Sequence, residues 1–192
     1  MISFRAKVGP VVAGLGLLLL SACATATTPE QMSIAAGAAP APAPGSRTDH
    51  SFRVGNVSGG GATSAMGLSD ISSDVLRTAL ATSLRNLGYM SADESGAAYV
   101  VSADLVDLDR PVAALDPVLI FVPIDLSVTA KIRYTVTPAR GGPPVFSQVV
   151  ATTGTATASD AATPAGRVRK ANEDAIKLNT VAFLKRLNAD WK

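Results

Sequence analysis

The sequence predicts an α+β domain: a four-stranded mixed, mostly antiparallel sheet with two helices on one face, in the order β-α-β-β-β-α. Three patterns carry this expectation. Leu126, Val128, Ala130, Ile132, Tyr134 and Val136 alternate with polar neighbours, as in a strand with one face buried and one wet. Two longer stretches, one before residue 88 and one after residue 163, repeat apolar residues at helical spacing. Glycine and proline clusters separate these segments where the chain must turn.

The elements follow in order. Phe52-Arg53-Val54-Gly55-Asn56-Val57 places aromatic and β-branched residues at alternating positions and reads as a first strand. Ser69 can cap a helix starting at Asp70, with Ile71, Val75, Leu76, Ala79, Leu80, Leu84 and Leu87 on one stripe and Gly88 as its stop. Residues 98–108 are too short and too β-branched for a good helix and form a central strand. The alternating stretch 126–136 follows, and Pro138 to Pro144, with Gly141-Gly142 in the middle, returns the chain into a fourth strand from Val145 to about Thr157. Thr163 and Pro164 suit the cap and first turn of a last helix, since proline lacks only an N–H that would have been unpaired there. A helical wheel puts Val168, Ala171, Ala175, Ile176, Leu178, Ala182, Phe183 and Leu187 on one broad arc to Asn188. The first strand-helix-strand step is expected to pair in parallel as a right-handed crossover.

The beginning of the chain gives an address. Arg5 and Lys7 precede an apolar run from Val8 to Leu20 and then small residues up to Cys23, the three-part layout of a secretory signal over residues 1–22. Roughly 20 unbroken apolar residues are needed to span a bilayer, and Gly14 and Gly16 interrupt this shorter run. Leu20-Ser21-Ala22-Cys23 resembles the lipobox of bacterial lipoproteins, which implies cleavage before Cys23 and acylation of its sulfur. Two acyl chains suffice for stable anchoring, so the membrane is an expected partner through lipid on Cys23. Ala24 stands where aspartate would retain such a lipoprotein in the inner membrane, which implies the outer membrane, facing the periplasm. Residues 23–47 are expected to be a disordered tether, because Ala39-Pro40-Ala41-Pro42-Ala43-Pro44-Gly45 lacks large apolar side chains to offset ordering, and residues 48–192 the domain. The precursor carries 17 basic and 15 acidic residues; cleavage removes Arg5 and Lys7, so bulk charge gives no support for nucleic-acid binding.

Chemistry-bearing motifs are sparse. Ser58-Gly59-Gly60-Gly61 sits between strand and helix, where phosphate loops also lie, but without the Gly-Lys-Ser/Thr signature it reads as a connection. His50 stands beside no acidic or nucleophilic constellation, so no catalytic residue is expected. With one histidine and no cysteine other than Cys23, a zinc or copper site of the usual kind cannot be assembled, and no cofactor or metal is expected. Asp104, Asp107 and Asp109 could offer oxygen ligands but read more simply as solvated strand-end charge. Asn172 and Asn179 fall inside the apolar arc of the last helix and need hydrogen-bond partners there. Val118, Leu119, Ile120, Phe121 and Val122, between Pro117 and Pro123, either extend the third strand into the core or form an exposed patch for a partner.

The lipobox, the Ala/Pro segment, the element order and the stretches Val128-Thr129-Ala130-Lys131-Ile132-Arg133-Tyr134 and Ala171-Asn172-Glu173-Asp174-Ala175 together resemble small Gram-negative outer-membrane lipoproteins of the YajG-type and LptE-like plan. The resemblance spans about residues 50–190 and carries no functional residues. An acyltransferase label that members of this group sometimes bear does not fit: hexapeptide repeats are missing and His50 is poorly placed as a base. The expected function is a non-enzymatic accessory or assembly factor that docks an envelope protein, with a small-molecule or glycan-binding module as the alternative.

Overall fold

The computed structural model describes residues 26–61, 71–110 and 125–191. Its elements are α1 (Pro29–Met32), β1 (Phe52–Ser58), α2 (Ser73–Asn86), a 3₁₀ turn (Glu94–Gly96), β2 (Tyr99–Asp109), β3 (Leu126–Pro138), β4 (Phe146–Ala156) and α3 (Pro164–Asp190). The strands form one sheet in the order β1-β2-β3-β4, β1 parallel to β2 and the other pairs antiparallel. The α+β plan is therefore the one the alternation on β3 demands. No helix among the described residues is long and apolar enough to cross a membrane.

The core lies between the sheet and the two long helices. Leu126, Val128, Ala130, Ile132, Tyr134 and Val136 are all buried, whereas Ser127, Lys131 and Arg133 between them face water. Tyr134 stacks on Phe183 of α3 with ring centroids 4.1 Å apart and planes 8° from parallel, and Phe146 meets the same ring edge-on at 5.6 Å. α3 approaches β4 so closely that a Cβ on Gly154 would stand 2.2 Å from the Ala171 carbonyl oxygen and 2.3 Å from the Ala175 nitrogen. Thr152 Oγ1 donates to the Ala175 carbonyl at 2.9 Å beside this contact. The Asn179 amide, fully buried, donates to the carbonyls of Ala130 at 3.1 Å and Val150 at 2.8 Å, fastening α3 to the middle of the β3–β4 hairpin.

Three expectations are corrected. Ser72 caps α2: its backbone is extended and its hydroxyl accepts from Val75 N–H at 3.2 Å, whereas Ser69 and Asp70 lie outside the described residues. Leu178, placed on the apolar arc of α3, points outward and is 50% exposed, because a residue two places after buried Ile176 falls on the other side of the helix. The stretch expected to be a tether is folded onto the domain from its first described residues. Met32 and Ile34 are 0% and 4% exposed and belong to the main core. The Ile34 N–H donates to Ser83 Oγ at 2.9 Å and its carbonyl accepts from Asn86 Nδ2 at 2.9 Å, while the Pro40 carbonyl accepts from the Tyr89 hydroxyl at 2.9 Å. Two apolar side chains and three such bonds hold a segment whose composition alone suggested disorder.

Candidate functional site

Sheet order leaves β4 at an edge. Among the described residues β4 pairs only with β3, so one side of its backbone faces away from the ladder. The strand is eleven residues long, contains neither a charged residue nor a proline, and carries β-branched side chains at Val149, Val150, Thr152, Thr153 and Thr155. Those features favour pairing with a further strand, the event that native edges usually suppress with charge or proline. One guard is present: Arg186 Nη1 of α3 donates to the Val149 carbonyl at 3.2 Å. Beside this edge runs a shallow groove of about 330 Å³ between β4 and α3, lined by Thr152, Thr153, Leu178, Val181, Ala182 and Lys185. Val149, 44% exposed, and Leu178 give the edge its two large exposed apolar side chains.

The sheet face turned away from the helices is closed by pairs of its own. Lys131 Nζ lies 2.9 Å from Asp107 Oδ2 and Arg133 Nη1 lies 3.5 Å from Asp104 Oδ2, both across the β2–β3 ladder. The hydrogen bond between them holds the Asp107 carboxyl below its usual range and the Lys131 ammonium above its own. Thr129 and Thr153 hydroxyls meet at 2.8 Å. Asp104 also accepts from Ser58 Oγ at 2.9 Å, and no group of three acidic, histidine or cysteine side chains among the described residues could hold a metal ion.

A second recess lies where the folded segment 26–50, a strap laid over the helices, meets the end of α3. Arg47 Nη2 donates to the Tyr99 hydroxyl at 2.9 Å, and its guanidinium carbon sits 5.1 Å from the Trp191 ring centroid. Trp191 packs edge-on against Tyr99 at 4.7 Å and stacks on Phe52 at 5.8 Å. The recess, about 520 Å³, is floored by Ala41, Ala43 and Trp191 and rimmed by Arg47, Thr48 and Asn188.

The crystal structure of a Xanthomonas campestris protein of the DUF330 family is similar to this chain, with a TM-score of 0.55 and 12% identity over 79% of this chain and 91% of that one. The likeness is one of fold. A candidate lipoprotein from Caulobacter crescentus (TM-score 0.40, 13% identity, 73% of this chain and 86% of that one) and a hypothetical protein from Chlamydia trachomatis (0.47, 12%, 73% and 96%) are also similar. No protein-family model matches the chain, and no curated protein matches it.

Residues singled out in the sequence meet different fates. Cys23 and Val118, Leu119, Ile120, Phe121 and Val122 lie outside the described residues, as does the signal segment 1–22. The glycine loop is consumed by packing: Gly60 N–H donates to Ser73 Oγ at 3.2 Å and Gly61 N–H to the Ile71 carbonyl at 3.1 Å. Gly59, at a φ of +81°, lies so close to β2 that a Cβ would meet the Leu105 carbonyl oxygen at 2.1 Å. His50 adopts a φ of 46°, contacts the Met90 carbonyl through Nδ1 at 3.2 Å and approaches Asp49 at 3.6 Å; its imidazole joins the start of β1 to the segment after α2. Of the two asparagines, Asn179 makes the strand-backbone bonds that a buried amide requires, and Asn172 is equally buried one turn from the Gly154 contact. Neither Leu178 nor the β4 edge was legible as a site, because edge position is a property of sheet order.

Proposed function

We propose that this chain is a non-enzymatic lipoprotein of the cell envelope, anchored through Cys23 in the outer membrane and facing the periplasm, that serves as an accessory or assembly factor by docking a periplasmic or outer-membrane protein. The anchor rests on Leu20-Ser21-Ala22-Cys23 and the address on Ala24. The docking function rests on the β4 edge. An uncharged eleven-residue edge beside the Leu178 groove fits one occupant by its hydrogen-bonding row: an extended segment of the partner that adds to the sheet and lays alternate apolar side chains against Leu178 and Ala182. A photo-crosslinking residue in place of Leu178, in intact cells, is expected to give one discrete adduct with an envelope protein, and the same residue in place of exposed Val106 on β2, two strands from that edge, none. Adding Thr153→Asp should abolish the adduct without lowering the melting temperature. Adducts of equal intensity from both positions, or none from Leu178, would remove the edge as the docking site.

Binding of a small molecule or glycan is the second reading, and the Arg47–Trp191 recess favours it by joining a cation, an aromatic face and an apolar floor. A ligand that raises the melting temperature of the native chain but not of Trp191→Ala would support it. Equal shifts in both would exclude this recess.

A further inference from the structure

The strap changes what the anchor can do. We infer that residues 26–50 hold the domain flush against the bilayer that takes the Cys23 acyl chains, with the outer surface of α2 toward the lipid headgroups. The inference rests on the proposed lipidation and goes beyond it, since lipidation alone leaves the domain's height and orientation open. Had residues 24–47 been a flexible polyproline-rich tether at ~3.1 Å per residue, the domain would range several nanometres from the membrane. Thr27, four residues after Cys23, is instead already buried, and α1 packs on α2 and α3. Four residues reach at most ~14 Å even when fully extended. The headgroup layer takes up roughly 5–8 Å of that reach, so the surface that carries α1 stays within about 10 Å of the bilayer while the lipid stays inserted.

The orientation follows from where the strap lies. The two long helices pack on the sheet, α2 against β1 and α3 against β3 and β4, while α1 packs on both helices and on no strand to a comparable extent. From α1 the strap runs in the direction of α2: Ser33 Oγ reaches the Ala79 carbonyl at 3.4 Å, Ile34 reaches Ser83 and Asn86, and Pro40 reaches Tyr89. The anchored end of the strap therefore lies beside the first half of α2, where Asp74, Arg77 and Thr78 are exposed. Exposed Arg77 and, further along, Arg85 on α2 are balanced by Asp74 on α2 and Glu30 on α1, so this surface carries no net charge to oppose anionic headgroups. The paired sheet face with Thr129 and Lys131 points into the periplasm, and the β4 edge is left clear at the side.

Cys23 is the sole cysteine, and acylation blocks it, so single labelling cysteines can be placed elsewhere. The full lipidated protein is reconstituted in phosphatidylethanolamine–phosphatidylglycerol vesicles containing a headgroup-linked quencher, with a fluorophore at Arg77→Cys or at Thr129→Cys. The α2 label is expected to be quenched several-fold more than the sheet label. Insertion of twenty Gly/Ser residues after Ala24, which leaves the strap untouched, should bring the two close to equality. Lipidated protein that floats with the vesicles yet shows equal quenching without the insertion overturns the strap inference alone. Protein that carries no lipid by mass and fails to float overturns the anchoring reading, and the strap inference with it.

Discussion

Single residues decide how closely α3 can lie on the sheet. Gly154 has backbone, not a flexible side chain, within 2.2 Å of the place its Cβ would take, so the helix must shift to admit even a methyl group. Gly154→Ala should destabilise the fold by about 1–3 kcal/mol, the usual range for overpacking, read from urea denaturation. A loss below 0.5 kcal/mol, on the order of an ordinary surface substitution, would show the contact is softer than drawn. Glu173, on the same helix, has the opposite kind of constraint. Burial raises its carboxyl above the ordinary range, and Arg169, whose Nε lies 3.6 Å away, only partly opposes this. The native state thus binds that proton more tightly than the unfolded chain does. Its contribution to stability is complete below the usual glutamate range and is lost as pH rises through the raised value. Glu173→Gln should therefore melt higher than the parent at pH 8, with the difference closing as pH falls toward 4; a difference that widens on acidification would refute the assignment. The sequence exposed Gly154 only as a glycine within a strand, and Glu173 only as a charge on an amphipathic helix. Their constraints come from a helix–strand approach that no local pattern encodes.

At the scale of elements, strands and long helices were readable because each has a period. β3 alternates without a break from Leu126 to Val136, and α3 repeats apolar residues over seven turns, so tertiary packing confirms what local order already implied. The strap has no period to read. Its Ala- and Pro-rich composition offers two large apolar residues, Met32 and Ile34, and its order depends on receptors elsewhere in the chain: Ser83, Asn86 and Tyr89 on and just after α2. Disorder inferred from composition fails where a few anchors meet a prepared surface. Met32→Ala should cost about 2–3 kcal/mol, toward the low end for a buried methionine because the strap can yield locally. Hydrogen exchange is the better readout: the Ile34 amide should lose protection in this variant while amides of β3 keep theirs. Equal losses in both would mean that the strap and sheet unfold as one unit.

For the whole molecule, the two edges of the sheet are treated differently. The β1 edge is paired at its first residue, where Phe52 N–H donates to the Tyr89 carbonyl and Ser91 N–H to the Phe52 carbonyl, with Met90 bridging Phe52 in parallel. On the β4 edge Gln148 Nε2 donates to Asp190 Oδ2 at 3.1 Å, and Arg186 occupies the Val149 carbonyl and sets a cation beside the groove. If that side chain is what keeps the edge from pairing with another copy, removing it should expose a strand that is long, uncharged and flanked by Val149 and Leu178. Arg186→Ala in the mature chain without lipid is expected to self-associate about tenfold more tightly than the parent, equivalent to about 1.4 kcal/mol, by sedimentation equilibrium. The melting temperature at low concentration should not change, because the bond lies at the surface. Leu178→Asp placed in the same chain should return it to the parent's behaviour, since a partner strand would then meet a charge in the groove. Identical association in the parent, Arg186→Ala and the double variant would mean that the edge is inert, and docking through β4 would lose its physical basis.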